Sequence, residues 1–302
     1  MDYRIELPFN RKPATIIHLD LNSCFASVEQ QANPLLRGKP VAVAAYDTPL
    51  GCIIAPSVEA KATGVKLGMR VKEGRVICPE LIVLKPDPDK YRYVHRQLKK
   101  LLEKYTSEVV PKSIDEFRLN LEGFPCFKKG MMAVGQEIKE KIKAEVGDWL
   151  RVSVGIGPNW FLAKTASNLK KPDGLEEINY QNFETVYPKL ALTDLCGIKR
   201  ANMTRLNAAG IYTVMDFYRA SVQTLRSAFE SVLGYYWYLR LRGWEIDDVV
   251  SEQKSFGAMY SLPQAAVSLA ELGPILNKLT SKTAGRMRKA GFRAGGIHLA
   301  LL

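Results

Sequence analysis

An α+β fold continued by an all-helical region is what this sequence predicts. Apolar, β-branched runs alternate with amphipathic stretches in the order strand, helix, hairpin, helix, strand through the first half, which is the order of a βαββαβ sandwich. From about residue 179 the apolar period becomes helical, in short pieces with breaks at Gly197, Gly210, Gly234 and Gly243. The 302 residues, 47% hydrophobic and 25% charged, are enough for two or three cores.

Each element follows from local chemistry. Residues 15–19 form a short apolar run that reads as a buried strand ending at Asp20. Asn22 or Ser23 then caps a helix that runs to about Asn33 and stops at Pro34. Residues 40–45 and 52–55 are strand-like around a turn-rich stretch, and residues 58–63 form a short helix closed by Gly64. A long amphipathic helix spans 90–105, and strands are expected at 107–114 and 117–121, the latter alternating Phe117, Leu119 and Leu121 with Arg118 and Asn120. Residues 127–146 read as a helix, 152–156 as a strand and 160–170 as a helix. Residues 34–85 are thus an insertion into the sandwich. Near the C-terminus, residues 254–259 and 296–302 read as strands flanking a helix at 268–290.

Composition narrows the function. Lys and Arg number 43 against 31 Asp and Glu, a net charge of +12, which favours a polyanionic partner. No apolar run approaches the ~20 residues of a membrane span, and residues 1–13 are too charged for a secretory signal. The five cysteines are scattered without a CxxC pair, which fits a reducing cytoplasm and argues against zinc or disulfides. Three distant histidines do not suggest a His-rich metal centre.

The carboxylates carry the chemistry. Asp20 ends the first strand, and Asp115 and Glu116 lie where the hairpin turns. In a βαββαβ sheet these strands are neighbours, so the three acids converge. Three close carboxylates stay ionised only with cations between them. Hard oxygen donors select Mg²⁺ or Mn²⁺, and two such ions roughly 3.5–4 Å apart clamp a phosphoryl transfer. The competing reading is a set of surface turn acids, since Glu176-Glu177 and Asp247-Asp248 are also adjacent.

Four stretches resemble the Y-family, or lesion-bypass, DNA polymerases: residues 18–29 (HLDLNSCFASVE), 58–69 (VEAKATGVKLGM), 113–116 (SIDE) and 153–174, which ends in KKPDG. They occur in order, and the resemblance covers about residue 14 to the C-terminus. It implies a polymerase right hand: a ferredoxin-like palm (1–33 and 86–178), inserted fingers (34–85), an all-helical thumb with a helix-hairpin-helix (179–243), a linker (244–252) and a partial little-finger domain (253–302). It further implies that Asp20, Asp115 and Glu116, with the Leu21 carbonyl, hold two Mg²⁺ ions, Mn²⁺ being able to substitute. A primer 3′-hydroxyl would then attack the α-phosphate of a dNTP on primer-template DNA.

The same resemblance places Phe25 as a steric gate against ribose and puts Val58, Lys61 and Lys171 at the triphosphate. It gives Gly197, Lys199, Arg200, Arg205 and Lys254 to the DNA backbone. It also implies a cytoplasmic monomer, with a sliding clamp as a further partner. Several positions depart from the family pattern. Asn22 stands for a usual Asp, Val58 and Lys61 for Tyr and Arg, Lys199 for the second hairpin Gly, and Phe117-Arg118-Leu119-Asn120 for a small residue, an aromatic, Leu and Asp. Lys in place of Arg exchanges a forked donor for a point charge, which weakens nucleotide binding. Two other classes remain in view, a nucleotidyl cyclase and a non-catalytic DNA-binding member of the family. Finally, a two-strand, one-helix C-terminal unit is marginal by itself, so the chain is expected to be a fragment or to pack abnormally there.

Overall fold

The computed structural model describes residues 7–248, 255–260, 262, 266 and 268–301. A five-stranded sheet positions everything that follows, in the order β5-β6-β1-β7-β8: β5 (Val109–Pro111), β6 (Glu116–Asn120), β1 (Ile16–Leu21), β7 (Val152–Gly157) and β8 (Leu175–Glu177). β1 lies antiparallel to both β6 and β7, so the first strand and the hairpin are neighbours, as the element order predicted. β1 runs past Asp20 instead of ending there. Its backbone is paired on both sides, Asp20 facing Glu116 on one and Ser153 on the other, so the strand continues until Leu21.

The two faces of β1 carry different chemistry. Ile17, Leu19 and Leu21 fill the main core with α1 (Cys24–Ala32), α4 (Pro88–Leu102) and α5 (Met131–Glu145), while Ile16, His18 and Asp20 take the other face. That other face is covered by α6 (Trp160–Leu169), and two glycines of β7 make the close approach possible. A Cβ on Gly155 would lie 2.0 Å from the Ala163 carbonyl oxygen, and one on Gly157 would lie 2.6 Å from the Ala163 nitrogen. Asn159 caps α6 through the Leu162 N–H.

The insertion forms its own small sheet, β3-β2-β4, from β2 (Val41–Ala44), β3 (Ile53–Pro56) and β4 (Ile82–Leu84). With α2 (Val58–Ala62) and α3 (Val71–Ile77) it encloses a separate core around Ile53, Ala60, Val65 and Val71. The helical region after the sheet comprises α7 (Phe183–Val186), α8 (Arg200–Ala208), α9 (Val214–Arg219), α10 (Val222–Phe229) and α11 (Leu233–Arg240). They surround Phe217, Trp237 and Tyr238, and Phe9 joins that cluster by stacking on Phe183 at 4.3 Å.

Several expectations are corrected. The strand expected at 107–114 is only three residues long, and α5 starts at Met131 because Gly130, at φ +86, breaks the chain after a 3₁₀ turn. Gly234 is no break. It lies within α11, where its missing Cβ lets the Leu225 backbone approach. Gly197 is preceded by a single 3₁₀ turn (Leu192–Asp194) and not by a full hairpin helix. α12 (Leu269–Lys289) forms as expected, yet none of its residues is buried. The flanking strands do not form among the described residues: 255–260 and 292–301 have no ladder partner. Ile297, Leu299 and Leu301 keep a period-2 pattern but remain exposed, because alternation makes a strand only where another strand completes its hydrogen bonds.

Candidate active site

Asp20 and Glu116 face each other across the β1–β6 ladder, so their side chains emerge on the same side of the sheet. Asp115, the next residue along, is tied in by the Leu21 N–H donating to its carbonyl at 2.9 Å. Each acid has a partner. Asp20 Oδ2 accepts from Lys171 Nζ at 2.8 Å, Glu116 Oε2 from Lys164 Nζ at 2.6 Å, and Asp115 Oδ1 from Ser113 Oγ at 2.5 Å. Two ammonium groups therefore sit against the acids, where charge balance demands cations.

Asp20, Leu21, Phe25, Val58, Lys61, Asp115 and Lys171 all line one cleft of about 560 Å³, within the usual range for a small-molecule site. The structure thus brings Asp20, Asp115 and the expected nucleotide positions to one cleft, while Glu116 is in register with Asp20 but does not line it. Burial first, and then the positive charge of Lys171, lower the Lys61 pKa, with Asp20 opposing. Lys61 and Lys171 line the same cleft, Lys171 already paired with Asp20, so a polyanion entering it meets two ammonium groups. Phe25 is fixed by stacking on Tyr91 at 4.3 Å, and the Tyr91 hydroxyl donates to the Glu29 carboxylate. Val58 begins α2 and Lys61 lies in its last turn, behind a Ser57 cap.

His18 comes close to the acids. One ligand atom each of His18, Asp20 and Glu116 falls within 4.8 Å of the others. The imidazole is nevertheless a poor metal ligand. Its Nδ1 lone pair accepts the Trp160 indole N–H at 3.3 Å, which leaves the proton on Nε2. Burial, then Lys164, Lys171 and Lys112, lower its pKa to about 3 and keep it neutral. The donors that fit a cation here are the oxygens of Asp20, Asp115 and Glu116, a hard set matching Mg²⁺ or Mn²⁺.

Lys199, Arg200 and Arg205 are exposed around the turn at Gly197, whose φ is +94. They and Gly197 do not line the cleft, and Lys254 lies outside the described residues. In the aromatic run 235–238, Trp237 and Tyr238 are buried in the helical core, while Tyr235 and Tyr236 are exposed. Sequence reasoning missed Lys164, Trp160 and Tyr91. For the first two a signal existed: Trp160 and Lys164 are four apart on one helix, hence on one face, and the Gly155–Gly157 alternation prepares a strand for a close helix. The acidic stretch after α11 docks on the start of α6 and on β6. Glu245 accepts from the Trp160 N–H at 2.8 Å, and Asp248 pairs with the buried Arg118.

Residues 19–168 match the impB/mucB/samB family. The chain is 32% identical to DNA polymerase IV of Pelotomaculum thermopropionicum, over 95% of this chain and 72% of that protein. It is 33% identical to DNA polymerase IV of Alkalilimnicola ehrlichii, over 94% and 80%, and 32% identical to DNA polymerase IV 1 of Bacillus subtilis, over 96% and 70%. Among solved structures, a Y-family chimera of the Dbh and Dpo4 polymerases matches with a TM-score of 0.77 at 26% identity, covering 90% of this chain and 80% of that one. An insertion ternary complex of Dbh DNA polymerase matches with a TM-score of 0.67 at 26% identity and the same coverage. Among the described residues, no helix is long and apolar enough to cross a membrane.

Proposed function

Because this chain belongs to the Y-family of DNA polymerases, we propose that its cleft performs template-directed, two-metal nucleotidyl transfer from a dNTP to a primer 3′-hydroxyl. It is a DNA-directed DNA polymerase of the translesion type. What supports the cleft as its catalytic centre is a single arrangement: Asp20 and Asp115 line it, Glu116 is in register with Asp20, and Phe25, Lys61 and Lys171 line the same space.

Asp20, Asp115 and Glu116, with the Leu21 carbonyl, would hold two Mg²⁺ ions, which when bound acidify the primer hydroxyl and offset charge at the α-phosphate. Lys171 now spends its charge on Asp20, so an incoming triphosphate takes over Lys171 and joins it to Lys61. Phe25, held flat by Tyr91, stands where a ribose 2′-hydroxyl would need room.

In this reading residues 1–33 and 86–178 act as palm, 34–85 as fingers and 179–243 as thumb, with 244–252 as linker and 253–302 as a partial little finger. Primer-template DNA runs along the basic surface of Lys199, Arg200 and Arg205, and the chain works as a monomer. The test is primer extension with Mg²⁺. Extension that follows the template and stops on adding EDTA supports the reading. DNA binding without any extension would favour a non-catalytic member of the family.

A further inference from the structure

The Asn22 side chain, 5% exposed, makes contacts that the reaction as described leaves unused. Its Nδ2 donates to Asp20 Oδ1 at 3.3 Å and to the Asp20 carbonyl at 3.4 Å. Its Oδ1 accepts from the Asp173 N–H at 2.7 Å and from Ser153 Oγ at 3.0 Å. Lys171, two residues before Asp173, donates to the other oxygen of Asp20 at 2.8 Å. The contacts therefore close a ring from Asp20 to Asn22, Asp173, Pro172, Lys171 and back to Asp20.

The loop that this ring holds is strained and anchored. Asp173 adopts φ +62, a left-handed conformation that a non-glycine residue keeps only when its surroundings hold it there. Its carboxylate pairs with the buried Lys139 and with Lys143, at 3.1 and 2.9 Å. Burial raises the Asp173 pKa, but the bonds from Lys143 and Lys139 outweigh it, and the carboxyl stays below its ordinary value. Those lysines hold the far side of the loop, and Asn22 holds the side next to Asp20.

We propose that Asn22 is a positioning residue that sets Lys171 in place for the triphosphate, acting through the Asp173 amide. The assignment rests on the polymerase reading. What the role requires is the acceptor that Oδ1 offers to the Asp173 N–H; the amide Nδ2 adds a donor to the Asp20 carboxylate. A carboxylate at position 22 keeps the acceptor half and loses the donor half. A methyl loses both and leaves the Asp173 N–H without its acceptor.

That difference gives the test. Hydrogen–deuterium exchange of the segment around Asp173 is followed in the full chain without ligands, for wild type, Asn22→Ala and Asn22→Asp, beside steady-state dNTP kinetics. Asn22→Ala is expected to speed exchange there at least ~10-fold, and to raise KM for dNTP more than it lowers kcat, while Asn22→Asp exchanges like wild type. Equal exchange in Asn22→Ala and wild type overturns the proposal, as does Asn22→Asp exchanging as fast as Asn22→Ala. If Asn22→Ala does not fold, Asn22→Leu, which keeps the volume and removes the acceptor, decides alone: a ~10-fold rise in loop exchange supports the proposal, and exchange within about twofold of wild type overturns it. A wild-type chain that extends no primer would sink the polymerase reading instead, and the exchange result would still judge the ring.

Discussion

A methyl group added at Gly155 would meet the Ala163 carbonyl oxygen at 2.0 Å, whereas one added at Gly285 would meet nothing within 4 Å. The first glycine belongs to the sheet that carries the acids, where α6 lies directly on β7. The second lies near the C-terminal end of α12, which buries none of its residues. In the sheet every position is fixed by neighbours from distant sequence, so side chains such as Lys164 arrive at a defined place. In α12 mostly local forces act: a Ser268 cap, Glu271 in the first turn and basic residues in the last, beside a bond from the Arg286 guanidinium to the Gly257 carbonyl. Chemistry that needs fixed distances belongs to the first kind of region.

The contrast can be broken by substitution. Gly155→Ala should destabilise the fold by about 3 kcal/mol in urea unfolding and abolish extension, because α6 must lift and take Lys164 away from Glu116. A stable, active variant would mean that the close approach is not needed. Phe25→Ala should raise ribonucleotide incorporation relative to deoxynucleotide at least ~10-fold in single-nucleotide assays, with the acids untouched. Unchanged sugar discrimination would return Phe25 to the core. Lys61→Arg should lower KM for dNTP severalfold by restoring a forked donor in the cleft. A rise would mean that the cleft has no room for the fork. The smallest effect is expected at Gly285→Ala, which should stabilise α12 by at most ~1 kcal/mol and leave extension unchanged. Destabilisation there would reveal a neighbour that the helix needs.

The same contrast explains what the sequence revealed. The meeting of Asp20 and Glu116 was legible because strand order alone makes β1 and β6 neighbours, and the cleft's lysines were legible through family resemblance. The extension of β1 beyond Asp20 was not, because its cause is pairing on both sides by β6 and β7. Lys164 and the His18–Trp160 contact were missed because they depend on how closely α6 docks. α3, β4 and β8 escaped notice as well, β4 and β8 being three residues each and too short to show a period. At 296–302 the alternation was real, but a pattern that fits a strand supplies no partner for it.

The most direct test concerns Asp115, whose carboxylate lines the cleft and bonds only to the neighbouring Ser113 among the described residues. Primer extension and DNA affinity are measured side by side for wild type and Asp115→Ala at one salt concentration. If the three acids are the catalytic centre, extension disappears while the Kd for primer-template DNA stays within about twofold of wild type, because no phosphate contact has been removed. Retained extension, or loss of DNA binding in parallel with extension, would contradict that assignment and make Asp115 a structural acid.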